Sequence, residues 1–118
     1  MGRRSRRRGA EQVAAPESPY EDGDGNVLVL RGAMTPATRA EYAKVRAGGL
    51  NQEDAWQRSV EFLFERLAVR WEIAGAEPIT RQRDLLARYR FAAGDERAWI
   101  REVLRMHLAA HFPDVEAP

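Results

Sequence analysis

Cysteine is absent from the 118-residue chain. That removes disulfides and thiolate zinc sites from consideration and permits a reducing interior, with the cytoplasm as the expected compartment. Long apolar runs are lacking too, and nothing approaches the ~18 residues that suggest a membrane-spanning helix. Lysine occurs once and histidine twice, so eighteen of the nineteen basic residues are arginine. This bias, with abundant alanine, suggests a GC-rich coding genome more than a chemistry. What remains is 44% hydrophobic and 31% charged, the composition of an ordinary globular protein with room for one domain.

The net charge of +1 conceals strong patterning. Arg3, Arg4, Arg6, Arg7 and Arg8 form a basic cluster, and Glu11, Glu17, Glu21, Asp22 and Asp24 then follow with no intervening base. With Pro16, Pro19 and a Gly-Asp-Gly turn in the same stretch, residues 1–25 are expected to be a disordered lead. A twin-arginine export signal is not expected, because no apolar segment follows the arginines. Residues 26–118 are expected to form a single helical domain. Its first half, residues 51–77, carries six acids and three arginines, and its second, residues 80–105, carries seven arginines and four acids.

Asn26–Arg31 (NVLVLR) has the content of a short strand, yet nothing else in the chain reads as its partner. It is expected to be an extended arm on the helices, or to pair across a subunit boundary. Thr35 before Pro36 is an N-cap followed by proline at the first helical position, which starts a helix over 35–47. Asn51 caps a long helix over 51–74, with Glu53 and Asp54 in its first turn where the helix dipole favours acids. Pro78 and Thr80 mark a restart, giving a helix over 80–93, and the Gly94-Asp95 stop precedes a last helix over 95–111. The expected fold is therefore all-α: a compact bundle of about four helices with a disordered basic lead and one short arm or strand.

The 51–74 helix shows two apolar faces. Trp56, Val60, Leu63, Phe64, Leu67 and Trp71 share one broad arc and are the expected core stripe. Ala55, Phe62, Val69 and Ile73 form a narrower row, set apart by acids and by Ser59, Arg66 and Arg70. Phe62, Val69 and Ile73, flanked by Arg66 and Arg70, are the candidate partner-binding residues, unless the Val27–Leu30 arm covers them within the chain. The last helix is expected to turn Trp99, Ile100, Val103, Leu104, Met106 and His107 inward.

Chemistry finds little support. His107 and His111 have the i, i+4 spacing of two metal ligands, but no further ligands accompany them and no glutamate supplies a HExxH base. A buried, hydrogen-bonded histidine is the better account, and no metal or cofactor is expected. Asp22, Asp24 and Asn26 begin like a calcium loop, but Val27 replaces its glycine and Ala33 its bidentate glutamate, which leaves a solvated turn. Ser59 lies within a helix, Ser5 and Ser18 lie in the lead, and Glu61 and Glu65 read as a solvated acidic face, so no enzyme is expected. Trp56, Trp71 and Trp99 read as core rather than as a ligand platform.

A rival reading is a small nucleic-acid-binding regulator. The arm of Arg3, Arg4, Arg6, Arg7 and Arg8 would serve it, and Arg97, Arg101 and Arg105 recur at every fourth residue of the last helix. Against it stand the interleaved acids and the 14 bases to 18 acids outside the Arg3–Arg8 cluster. Salt bridges from the basic half to the acidic row of the long helix account for the same arginines.

The stretches EFLFERLAVRWEIAG, RQRDLLARYRFA and DERAWIREVLRMHLAAHFP resemble the tail assembly chaperones of actinobacterial tailed phages and prophages, over roughly Val27–Pro113. The resemblance implies a non-catalytic helical protein of virion assembly that coats the tape-measure protein and recruits tail-tube subunits; the two-faced helix itself points to self-association or to a coiled-coil partner. The resemblance supplies no active-site residues. The arginine lead departs from that family's pattern, which leaves open a different start, for instance at Met34, or a different role.

Overall fold

A computed structural model describes residues 16–118 and shows an α+β fold in place of the expected all-α bundle: four helices and a three-stranded antiparallel sheet. Among these residues the order is β1 (Glu17–Glu21), β2 (Val27–Arg31), α1 (Pro36–Ala47), α2 (Gln52–Leu67), β3 (Ala68–Glu72), α3 (Gln82–Arg90) and α4 (Gly94–His111). The expectation of disorder over residues 1–15, and the cluster Arg3, Arg4, Arg6, Arg7 and Arg8, lie outside the described residues. Residues 17–21 of the expected lead are a strand.

The sheet has the order β1-β2-β3, with β2 in the middle. Its VLVLR sequence leaves backbone donors and acceptors on both edges, and a strand this buried must satisfy both. On one side, β1 returns through the Asp22–Asn26 turn. The Asp22 carboxylate accepts from the Asp24 and Asn26 backbone N–H at 2.8 and 3.0 Å and from the Asn26 amide at 2.7 Å. Gly25 supplies the left-handed φ of 83° that an L-residue resists. On the other side β3 pairs Leu28 with Trp71 and Leu30 with Ala68, and Val69 is the extra residue of a bulge.

The segment expected to continue the long helix is therefore a strand. α2 ends at Leu67, and Ala68 at φ −68°, ψ 125° is already extended. Two periods overlap here: Phe64 and Trp71 are seven apart, as on one helix face, but Val69, Trp71 and Ile73 also alternate with period two. The β-branched and aromatic content, with an unsatisfied edge on β2, decides for the strand. Beyond Gly75 the chain turns back, and Ile79 exchanges two 2.9 Å backbone hydrogen bonds with Trp71.

The helix caps act locally. Thr35 Oγ1 accepts from the Thr38 N–H at 3.1 Å and Asn51 Oδ1 from the Asp54 N–H at 2.8 Å. α4 has no side-chain acceptor at Ala93, but Glu96 reaches back to accept from the Ala93 N–H at 3.1 Å. One face of the sheet, carrying Tyr20, Leu28 and Trp71 in one cross-strand row, meets the helices. The buried core joins Leu28, Leu30, Leu63, Phe64, Leu67 and Trp71 to Leu85, Tyr89, Ile100, Leu104, Leu108 and Phe112. Phe64 stacks on Tyr89 at 4.9 Å and meets Trp71 edge-on at 5.6 Å.

Candidate functional site

The residues expected to bind a partner do not form one face. Phe62 is half-buried on α2, 6.1 Å from the Tyr42 ring of α1, with the Arg66 guanidinium 4.9 Å from its ring centroid. Val69 sits at the β3 bulge, and Ile73 beyond β3 packs against the core. Arg66 pairs with Glu41 of α1 at 3.2 Å, while Arg70 pairs with Glu72 along the strand at 2.8 Å. The wheel that drew these five together requires helix where the chain is strand. Helix α1 covers Phe62 where a partner was expected.

The α4 arginines expected to meet phosphate are engaged within the molecule. Arg97 donates to the Arg90 carbonyl at 2.9 Å and lies 5.2 Å over the Tyr89 ring. Arg101 lies 4.6 Å over Trp56, and it and Arg105 donate to the Pro118 oxygen at 3.3 and 3.0 Å. Arg88 bridges to Glu96 at 2.7 Å, and Arg90 to Glu61 of α2 at 2.7 Å. Between α2 and α4, Trp56, Tyr89, Arg97 and Arg101 border a cleft of about 660 Å³. Each aromatic face there carries a guanidinium as its lid.

Both histidines are used to fix the hairpin to α4. His107 is fully buried; its Nε2 lies 2.8 Å from the Arg31 carbonyl and its Nδ1 lies 2.7 Å from the Tyr20 hydroxyl. A carbonyl only accepts, so Nε2 carries the proton, Nδ1 accepts, and the Tyr20 O–H donates. Burial pushes the imidazole below its usual range, with the neighbouring His111 adding in the same direction and the Arg31 bond opposing. His111 Nε2 meets Ser18 Oγ at 3.0 Å. Among the described residues no group of three or more His, Cys, Asp or Glu is placed to hold a metal. Ser59 is buried and donates to the Ala55 carbonyl at 2.7 Å.

A different surface stands out on α4. Met106, expected inside, is 53% exposed. At 100° per residue Trp99, Met106 and Ala110 fall within about 40° of one another, beside the inward face of Ile100, Val103, Leu104 and His107. Trp99 is half-buried and Ala109 and Ala110 are exposed. Phe91, in the turn before α4, is 87% exposed. The inward assignment of Met106 failed because the buried arc of α4 runs from Val103 through His107, Ile100 and Leu104 to Leu108, and at 100° per residue Met106 falls about 60° beyond the Val103 edge of that arc.

Two features escaped the sequence reading. The Tyr20–His107 bond joins residues 87 apart, and no local pattern connects them. The residues after α4 are held by arginines of two helices, and only their alternation of acids with small apolar residues hinted at it. No helix among the described residues is long and apolar enough to cross a membrane. Comparison of the chain with protein-family models, curated proteins and solved structures finds no match.

Proposed function

We propose that the chain is a non-catalytic protein-interaction module that docks a helical partner on the outer face of α4. The observation that carries this reading is the apolar row of half-buried Trp99 and exposed Met106 and Ala110 at i, i+7, i+11 spacing, which matches the seam along which two helices pack. Small side chains at Ala109 and Ala110 let a second backbone come close. Only Glu102 places a charge between Trp99 and Met106 on that side, so the surface favours an apolar stripe over an ionic ligand. The finer form of the reading takes its partner from the resemblance to tail assembly chaperones: a tape-measure protein with a long apolar helix, met in the cytoplasm of a bacterial host.

Met106→Glu tests the docking surface directly. The change is solvent-facing and should alter stability by no more than about 0.5 kcal/mol, while placing a charge in the seam. Binding to an amphipathic helical probe, measured by sedimentation, should fall at least tenfold relative to the unsubstituted chain; unchanged binding contradicts the proposal. Gene order tests the finer form. A position between tail-tube and tape-measure genes supports it, and a position outside any tail cluster contradicts it.

A further inference from the structure

The five residues after Pro113 lie across the molecule in a way that the packing of α4 does not require. Tyr42 of α1 donates its hydroxyl proton to the Glu116 carbonyl at 2.6 Å, and Arg46 donates to the Ala117 carbonyl at 2.9 Å. From α4, Arg101 and Arg105 donate to the Pro118 oxygen at 3.3 and 3.0 Å. Three consecutive backbone oxygens are thus held by side-chain donors from two helices. The acidic side chains are read as well: Asp114 pairs with Arg39 and Glu116 with Arg46, each at 2.9 Å. Val115 and Ala117 pack against the core and Pro118 is buried.

This is how an extended peptide is recognised: main-chain acceptors give affinity and alternate side chains give selectivity. The two acids of the segment, Asp114 and Glu116, meet Arg39 and Arg46 of α1, so the charges are complementary. The groove is also wider than its occupant, since a cleft of about 420 Å³ remains beside Tyr42, Arg46 and Val115. The segment joins α4 through Phe112 and Pro113 alone. Every bond to the groove except the Val115 N–H to Phe112 carbonyl turn at 2.9 Å would be the same if the segment came from another molecule.

We infer that the groove between α1 and α4 is a peptide-docking site whose partner is the Asp114–Pro118 segment of a second copy of this chain, exchanged for the copy's own. Exchange of an identical element conserves its contacts and needs only a change of backbone at the hinge, which makes it a low-cost route to dimers. A short tether gives the copy's own segment an effective concentration of about millimolar. Docking between copies therefore becomes visible when the internal competitor is disabled.

The test mixes two full-length variants with complementary defects. Arg46→Glu spoils the groove and keeps the segment; the double change Asp114→Lys and Glu116→Lys spoils the segment and keeps the groove. Each alone should sediment at the 13.4 kDa of one chain, and an equimolar mixture should yield a species of twice that mass. A mixture that stays at monomer mass, with both variants retaining wild-type helical circular dichroism, overturns the inference. If either variant unfolds, the unsubstituted 15N-labelled chain is titrated instead with a synthetic peptide of residues 112–118 to several times the millimolar level. Saturable shifts at Tyr42, Arg46, Arg101 and Arg105 support the inference, and their absence overturns it.

Discussion

Tyr20, His107 and the Arg31 carbonyl form a hydrogen-bonded chain that fixes a neutral imidazole inside the protein. Because burial lowers the folded-state pKa of His107, the proton binds the unfolded chain more readily than the folded one. Above 6.5, the ordinary histidine value taken for the unfolded chain, both states are neutral and His107 adds no pH dependence. As the pH falls below 6.5, stability should decline by up to about 1.4 kcal/mol per unit until the lower folded-state pKa is reached. Denaturant midpoints measured between pH 7.5 and 5 check this; His107→Gln, which keeps a donor and an acceptor, should flatten the decline. Tyr20→Phe leaves Nδ1 buried without its donor and should destabilise by about 1–3 kcal/mol in the same assay. Of this chain only the histidine was legible: its place on an apolar stripe marked it as buried. The tyrosine sat in a stretch whose prolines and acids suggested disorder.

Among the elements, those fixed by local chemistry were the readable ones. Thr35-Pro36 and Asn51 mark helix starts because a side-chain oxygen must meet an orphan N–H within three residues. Asn51→Ala should therefore cost about 1 kcal/mol, seen as a lower thermal midpoint with unchanged fold. The strands depended on distant partners. β1 is flanked by an Asp-Gly signal typical of hairpins, but Pro19 concealed it, since proline is rare inside a strand. The hydrogen-bonded ends show why it is tolerated. Pro16 and Gly32 bond at 2.7 Å, as do Asn26 and Asp22 at 3.0 Å, and alternation turns the Pro19 nitrogen away from β2. There it blunts the outer edge of the sheet against further pairing. β3 was lost to the helix because Trp71 satisfies both periods. Trp71→Ala should remove about 3–5 kcal/mol, and chemical denaturation should show it as one of the largest single losses in the core.

At the scale of the whole molecule, the charge segregation seen in the sequence resolves into internal bonding. Arg90 to Glu61, Arg88 to Glu96 and Arg39 to Asp114 tie helices and loops together, each contributing little at the surface but jointly occupying the arginines. The large apolar side chains left outward among the described residues are Leu50, Phe91 and, on α4, Met106 beside half-buried Trp99. The α4 surface was only half legible, because the apolar arc of α4 runs unbroken from Met106 to Leu104 and the sequence did not say which of its edges would face out. The account's central claim is that this face receives a helix. The most direct measurement is titration of the 15N-labelled chain with a synthetic amphipathic helix of ~28 residues carrying a leucine-alanine stripe, long enough to hold its structure. The account predicts saturable shifts centred on Trp99, Met106 and Ala110 that disappear in Met106→Glu; shifts centred elsewhere, or none, would contradict it.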